Sequence, residues 1–513
     1  MPAISPLRLA HSQHSACTPA MSCWPPTGLA DELLDVYFAK EVRTDPVSLQ
    51  LFLDAMPKGA DLHHHLSGSL YPEDLLLLAS QQPEVCLNTS SLQTFTGPNC
   101  THLPSLASAL AADASGELYK ALLRSWSLYD YSGRRASDWD LVGPSDTFFA
   151  SFAKQLPFVQ LVKAAMLASE LRVAARLGIS RLESIVMPGP GRLDTLWPRL
   201  QPHASIPLLY AQAFQLGIQD AAEELREELV AVAHGARRLL ACHSKSAEAA
   251  CNVSLGLLPS VLRTLPDFRP VFALASFLAS VAAPGLVVGV NLVGPEHSPL
   301  ALHAYSKHMA LFAFLHAKYP QVNIALHAGE LREGKRILLH CSLRLCQADC
   351  ELKGHGVSIA YEPNAEALLE EMRQKNVCVE ICLTSNAMLL GVEGDKHPFT
   401  FYRSNNIPVC LNTDDEGVLR TDLSREFVRA TLAYNLSYSD LKQLVQSSIT
   451  HAFLPGPPLP PEAVLMPSHE LEPLLAASAK ASAQHQLLSQ LRAFEQRLLN
   501  LIRLKLNLST LLL

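Results

Sequence analysis

The chain is expected to fold as an α/β protein, a (β/α)8 barrel with helical additions, and three observations carry that expectation. Eight short apolar runs recur along the 513 residues, each breaking off at a polar residue. Four of those endings are rich in histidine and carboxylate: Asp61-Leu62-His63-His64-His65, Leu326-His327-Ala328-Gly329-Glu330, Gly354-His355-Gly356 and Asn412-Thr413-Asp414-Asp415. Amphipathic helical patterns such as Leu423–Tyr434 separate the runs. A barrel of this kind gathers its chemistry where the loops after its strands converge on one face.

Taken in order, residues 1–55 form a polar, proline-containing extension with a helix around Leu29–Val42, and this extension is a candidate dimerisation element. The first strand is Ala60–His65. Residues 81–145 are loop-rich and read as an insertion after it. The remaining strands are expected at Ser180–Met187, Arg238–Cys242, Leu286–Val293, Asn323–Leu326, Gly356–Ala360, Val377–Leu383 and Ile407–Leu411. The barrel thus occupies residues 56–455. Residues 456–513 follow as a stiff proline-rich linker, Pro455–Pro461, and one or two helices over Glu470–Leu508 that pack on the barrel or on a second subunit.

Composition narrows the function classes. The chain is 49% hydrophobic and 17% charged, which fits a globular enzyme and excludes a disordered scaffold. Its net charge is −7 with no block of like charge, so a basic groove for nucleic acid is not indicated. A small neutral substrate suits that balance better. Val271–Pro295 carries no charge and is long enough to span a bilayer, but Pro284-Gly285 divides it into a buried helix and a buried strand, so no membrane association is expected. Twelve cysteines include two local pairs, Cys86/Cys100 and Cys242/Cys251, each bracketing a loop. Pairing would indicate an oxidising compartment, whereas reduced cysteines would not, and both readings stay open. The start of the chain has no apolar leader segment, which leaves the cytoplasm open as well. Cys378, Cys382 and Cys410 read as core residues.

The polar endings suggest metal chemistry. Side chains alternate along a strand, so His63 and His65 share one face and His64 takes the other. With His327 and Asp414 they make a His, His, His, Asp set suited to a zinc-like ion that activates water. Glu330, three residues after His327, is placed to exchange protons with a substrate. His355 lies between two glycines that allow close approach and is expected to hold the attacking water. Adjacent Asp414 and Asp415 repel unless each has a partner, which a metal on the first and a substrate donor on the second would provide. A surface histidine run, a helix-capping glutamate and a polar surface turn are the structural alternatives for these motifs.

Six strings in order, MPKGADLHHHLSG, GVNLVGPE, LHAGE, GHGVSIAYEPN, LTSNAMLLGV followed by HPF, and LNTDD, resemble the adenosine deaminase family of metal-dependent amidohydrolases. Among its members the chain is most similar to the longer adenosine-deaminase-related growth factor type. The resemblance covers roughly Met56 to Pro455. It implies one zinc ion per subunit on His63, His65, His327 and Asp414. It further implies that Glu330 protonates purine N1, that His355 orients and helps deprotonate water, that Asp415 meets N7 and that the Gly294 backbone meets N3. The implied reaction converts adenosine or 2′-deoxyadenosine to inosine or 2′-deoxyinosine with release of ammonia. Phe148, Phe149 and Phe152 resemble an apolar lid over the sugar, and ordinary helix packing accounts for them equally well.

Three departures stand out. Ser67 occupies the position of an aspartate that meets the sugar in shorter members, so ribose recognition is open. The 25 positions from Glu330 to His355 are somewhat long and contain Cys341, Cys346 and Cys350, read here as helix and loop. The secretion signal implied by the resemblance is not visible. The alternatives are deamination of adenine, AMP or a modified nucleoside, or a growth-factor-like binding protein that retains the barrel. A homodimer is compatible with each.

Overall fold

Eight parallel strands stand side by side in chain order around one axis: β1 Gly59–His65, β4 Ile179–Val186, β5 Ser254–Leu262, β6 Gly289–Val293, β7 Asn323–Ala328, β8 Leu352–His355, β9 Cys378–Ile381 and β10 Val409–Leu411. This computed structural model describes residues 29–129, 144–200, 204–265, 270–331, 352–362 and 364–511. The ring is drawn together between its first and last strands by Asp414, whose N–H donates to His63 O and whose carbonyl accepts from His65 N, both at 2.9 Å. The architecture is a (β/α)8 barrel with helical extensions. Strands β6 and β9 are buried at every position, as expected of parallel strands covered on both faces.

Two expected strands are displaced. Arg238–Cys242 is the end of the helix Ile218–Leu239 and the turn after it, tied down by Arg237, which donates to the carbonyls of Ala250, Cys251 and Val253. The strand in question is β5, whose Gly256 and Pro259 resemble chain breaks in sequence. Each has a structural use. A Cβ at Gly256 would stand 2.3 Å from Arg181 Nη2, and Pro259 ends the pairing with β4 just before Ser260 begins the pairing with β6. The strand expected at Gly356–Ala360 lies upstream as β8. At its end His355 and Gly356 both take positive φ, +65° and +60°, and turn the chain away.

Between β1 and β4 the segment expected as loop carries a hairpin of β2 Val85–Asn88 and β3 Gln93–Thr96, followed by helices Leu106–Ala111 and Glu117–Trp126. The 33-residue helix Pro144–Arg176 then leads into β4. Both local cysteine pairs are disulfides, Cys86–Cys100 and Cys242–Cys251, and Cys378, Cys382 and Cys410 are buried thiols. The expected Leu29–Val42 helix is an α-helix to Tyr37 and a π-helical turn from Phe38. Asp31 and Asp35 tie it to Lys442 and Ser439 on the helix Tyr438–His451. The tail forms helices Ser468–Ala477 and Ala479–Leu511. The second packs on the chain's own barrel through Phe494 against Phe52 and Tyr438, with Glu495 accepting from Tyr438 Oη. Among the described residues no helix is long and apolar enough to cross a membrane. Val271–Pro295 divides into the helix Pro270–Ala282 and β6. The start of the chain and the segment with Cys341, Cys346 and Cys350 lie outside the described residues.

Candidate active site at the barrel mouth

The ends of β1, β7 and β10 bring His63, His65, His327 and Asp414 to one point. His327 Nε2 is 3.0 Å from both His63 Nε2 and His65 Nε2. Asp414 Oδ1 is 3.7 Å from the first of those imidazoles on β1 and 3.3 Å from the second. His64 faces outward, as strand alternation requires, and meets Ser184 Oγ at 3.1 Å and Glu170 Oε2 at 3.3 Å. The close fit at β8 depends on Gly354, because a Cβ there would stand 2.7 Å from the His63 ring. His355 and Asp414 hold left-handed φ near +65° and +63° without being glycine. Such strain, on the order of 1–3 kcal/mol per residue, persists where surrounding structure imposes it, and it clusters at functional sites.

Polar groups one layer deeper orient the imidazoles. His63 Nδ1 is 2.7 Å from Glu380 Oε2, and His327 Nδ1 is 2.8 Å from Asn291 Oδ1. With the ring proton on Nδ1, each Nε2 presents a lone pair inward. Burial works against charge on His63, but the neighbouring Glu380 carboxylate outweighs it and raises the ring to about 9. Burial, with the adjacent imidazoles, holds His65 and His327 well below their ordinary value. His63, His327, His355 and Asp414 bring one potential ligand atom each within 4.8 Å of one another, as do His65, Asp414 and Asp415, and imidazoles that give up an inward Nε2 proton beside a carboxylate fit a divalent cation.

The other expected residues surround this point. His355 Nε2 is 4.0 Å from Glu330 Oε2, and burial takes His355 down to about 3. Burial, with Asp414 and Glu296 adding to it, pushes Glu330 up to about 8. The Glu330 N–H donates to Glu296 Oε2 at 2.9 Å. Glu296 in turn faces Arg263, which donates to His327 O at 2.7 Å and Leu292 O at 2.9 Å. Asp415 packs so closely on Gly68 that a Cβ there would stand 1.9 Å from its Oδ1. Ser67 is half-buried in the one-turn helix Leu66–Ser69 after β1. Gly294 follows β6 with φ +101°, a conformation that favours glycine. Phe148, on the helix Pro144–Arg176, packs with Phe149 and Phe152 against Leu389, Val418 and Leu419 from the loops after β9 and β10.

Sequence reasoning passed over Glu380, Asn291, Arg263, Glu296, Asn386 and His397. Glu380 and Asn291 carried a usable signal, each being the lone strongly polar residue of an apolar run, Val377–Leu383 and Leu286–Val293. A polar side chain buried in such a strand needs a partner.

An eight-stranded parallel barrel with histidines and an aspartate converging at its strand ends defines the class, an amidohydrolase-type barrel. The sequence points the same way: the family model described as Adenosine deaminase matches residues 239–458. An adenosine deaminase of Enterococcus faecalis is 32% identical over 169 residues, 33% of this chain and 46% of that protein. An N6-methyl-AMP deaminase of Danio rerio is 30% identical over 179 residues, 34% of this chain and 49% of that protein. The chain therefore spans about half the length of these curated relatives. Among solved structures, the Arabidopsis N6-mAMP deaminase MAPDA superposes with a TM-score of 0.51 at 20% identity, covering 79% of this chain and 95% of that one. Arabidopsis ADAL complexed with IMP gives 0.51 at 18% identity, covering 85% and 99%. Both share the fold.

Proposed function

We propose that the protein is a zinc-dependent hydrolytic deaminase of adenosine and 2′-deoxyadenosine. The observation that carries this reading is the convergence of His63, His65, His327 and Asp414 beside the half-buried Glu330, whose Oε2 lies 4.0 Å from His355 Nε2. These four residues would hold the ion, which when bound supplies a water nucleophile that ionises near neutral pH, at a pKa of roughly 7.

The chain's own residues account for the rest. Glu330, kept protonated by its surroundings, donates to purine N1 and makes C6 electrophilic. His355 Nε2 faces the same space and orients the attacking water. Asp415 meets N7, and the Gly294 backbone meets N3. Water adds at C6 and ammonia leaves, so adenosine and water become inosine and ammonia. Phe148 and its two aromatic neighbours are proposed to cover the sugar.

A second reading is a nucleoside 5′-monophosphate, such as N6-methyl-AMP. It is favoured by Ser67, which puts a neutral hydroxyl where a carboxylate would repel phosphate.

The test is the ultraviolet change on mixing zinc-loaded protein with adenosine or N6-methyl-AMP, beside a chelator-stripped sample. Metal-dependent conversion of adenosine supports the first reading, and conversion of N6-methyl-AMP alone supports the second. Absence of both bound metal and conversion overturns both. Glu330→Ala is expected to keep fold and metal while losing about 10²–10⁴-fold in turnover.

A further inference from the structure

A neutral imidazole has one donor and one acceptor nitrogen, and what each nitrogen meets decides which is which. At His355 that decision can be traced to a group with no ambiguity. The backbone N–H of Phe399 can only donate, and it points at His397 Nδ1 from 3.2 Å. His397 Nδ1 is therefore the acceptor. Burial takes this ring down to about 4, so it is neutral and its proton sits on Nε2. That nitrogen lies 3.0 Å from Asn386 Oδ1 and donates to it. The other end of the amide, Nδ2, is 3.1 Å from His355 Nδ1 and donates there. Turning the amide over would set its NH2 against the N–H of His397, two donors face to face, and so is excluded. His355 Nδ1 is thus an acceptor. Its Nε2 is buried, faces the site and has no hydrogen-bond partner among the described residues.

We propose that Asn386 and His397 are positioning residues that hold His355 in its Nε2–H tautomer, so that it donates to the oxygen of the attacking water, whose own proton passes to the nearby Asp414 carboxylate and on to the departing amino group. This rests on the deaminase reading. It separates His355 from His63 and His327, whose Nδ1 atoms face the oxygens of Glu380 and Asn291, so that their Nε2 atoms are the ones left to meet a cation. One site therefore uses the same ring in two opposite tautomers, as a donor set for a cation and as a hydrogen-bond donor to the nucleophile. All three members of the relay are buried, so solvent does not scramble the order.

The test is a nitrogen-15 NMR spectrum of histidine-labelled full-length protein, metal-free and zinc-loaded, with the His355 signals assigned by their loss in His355→Gln. The expected pattern is a proton on Nε2 in the wild type and in His397→Gln, which keeps a donor toward Asn386. It moves to Nδ1 in Asn386→Asp, whose carboxylate accepts from both rings. With adenosine as probe, Asn386→Asp is expected to lose roughly 10²-fold in kcat. Its KM should stay within about threefold, the mark of an interaction made in the transition state. A wild-type proton on Nδ1, or Asn386→Asp holding kcat within about threefold, overturns the proposal. If neither adenosine nor N6-methyl-AMP is converted, the substrate reading fails while the spectrum still decides the tautomer.

Discussion

The base of the barrel buries Arg181 and Glu183 as completely as the mouth buries Asp414 and Asp415, yet the two ends treat their charge differently. At the base, Glu183 Oε1 accepts from Arg181 Nε at 3.0 Å, from Arg181 Nη2 at 2.8 Å and from Phe453 N at 2.8 Å. Arg181 also donates to Ser254 Oγ and Phe453 O, and Gly256 and Gly289 make room for its guanidinium and the Phe453 ring. At the mouth two carboxylates are adjacent in sequence, and among the described residues no arginine is paired to either. Asp415 Oδ1 and His355 Nε2 are buried without partners among the described residues. With Glu183 Oε2 left without a partner among the described residues, the base pairs most of its polar groups with one another. The mouth keeps them open for a ligand, which is how a buried polar group becomes functional.

The largest effect expected from this contrast is at the base. Glu183→Leu removes the partner of a buried guanidinium, and breaking such a pair costs about 3–5 kcal/mol. The variant should melt well below the wild type, while the fraction that remains folded should deaminate at the wild-type rate. Arg181→Met combined with Glu183→Leu should recover most of the lost stability, because an apolar pair of similar size avoids the stranded charge. A lone Glu183→Leu that melts with the wild type would mean the base is no more closed than the mouth.

At the mouth the sign should reverse. Burial, reinforced by Asp414 next to it, pushes the Asp415 carboxyl well above its ordinary 3.8. A carboxyl raised in the folded state penalises folding at pH above its folded value, and the penalty vanishes below its unfolded value. In metal-free protein, Asp415→Asn should therefore raise stability at pH 8 by about 1–3 kcal/mol, the cost of an unsatisfied buried group. The gain should disappear below about pH 3.8. The same variant should lose deaminase turnover. A melt at pH 8 that is unchanged or lower would show that Asp415 is already satisfied.

How far each end was legible in the sequence follows the same physics. Strands β1, β7 and β10 were readable because each apolar run stops at residues that cannot be buried without partners. Strand β5 was hidden by Gly256 and Pro259, two residues that suggest a turn until Arg181 and the change of strand partner account for them. Strand β8 was misplaced because its four residues, Leu352–His355, contain little apolar character, whereas the following Val357-Ser358-Ile359-Ala360 imitates a strand. The mouth's ligand-like residues were legible as motifs, but their orienting partners were not. The contact of His397 with Asn386 depends on the path of the loop between them, which no periodicity encodes. Arg263 reaches the His327 carbonyl across strands, and its position in the apolar run Val261-Leu262-Arg263 looks like a strand end.

The smallest effect lies on the rim, where solvent does for charge what partners do at the base. Arg420 follows the Asp415 turn and donates to both oxygens of Glu73 at 3.0 and 2.9 Å, while its guanidinium lies 5.1 Å from the Tyr71 ring centroid and 4.9 Å from that of Tyr129. Burial pushes the Glu73 carboxyl up, but the hydrogen bonds and charge of Arg420 outweigh it and the net displacement is below its ordinary 4.5. A depressed carboxyl stabilises the fold above its unfolded value, and that contribution is lost as pH falls through its folded value. Because the pair is partly exposed, Glu73→Gln should cost no more than about 1 kcal/mol near pH 7. The difference from wild type should shrink in 1 M salt, where the screening length falls to about 3 Å, and should vanish at pH values well below 4.5. A loss comparable to that of Glu183→Leu would mean that the rim is closed like the base, and that Arg420 braces the turn carrying Asp414 and Asp415.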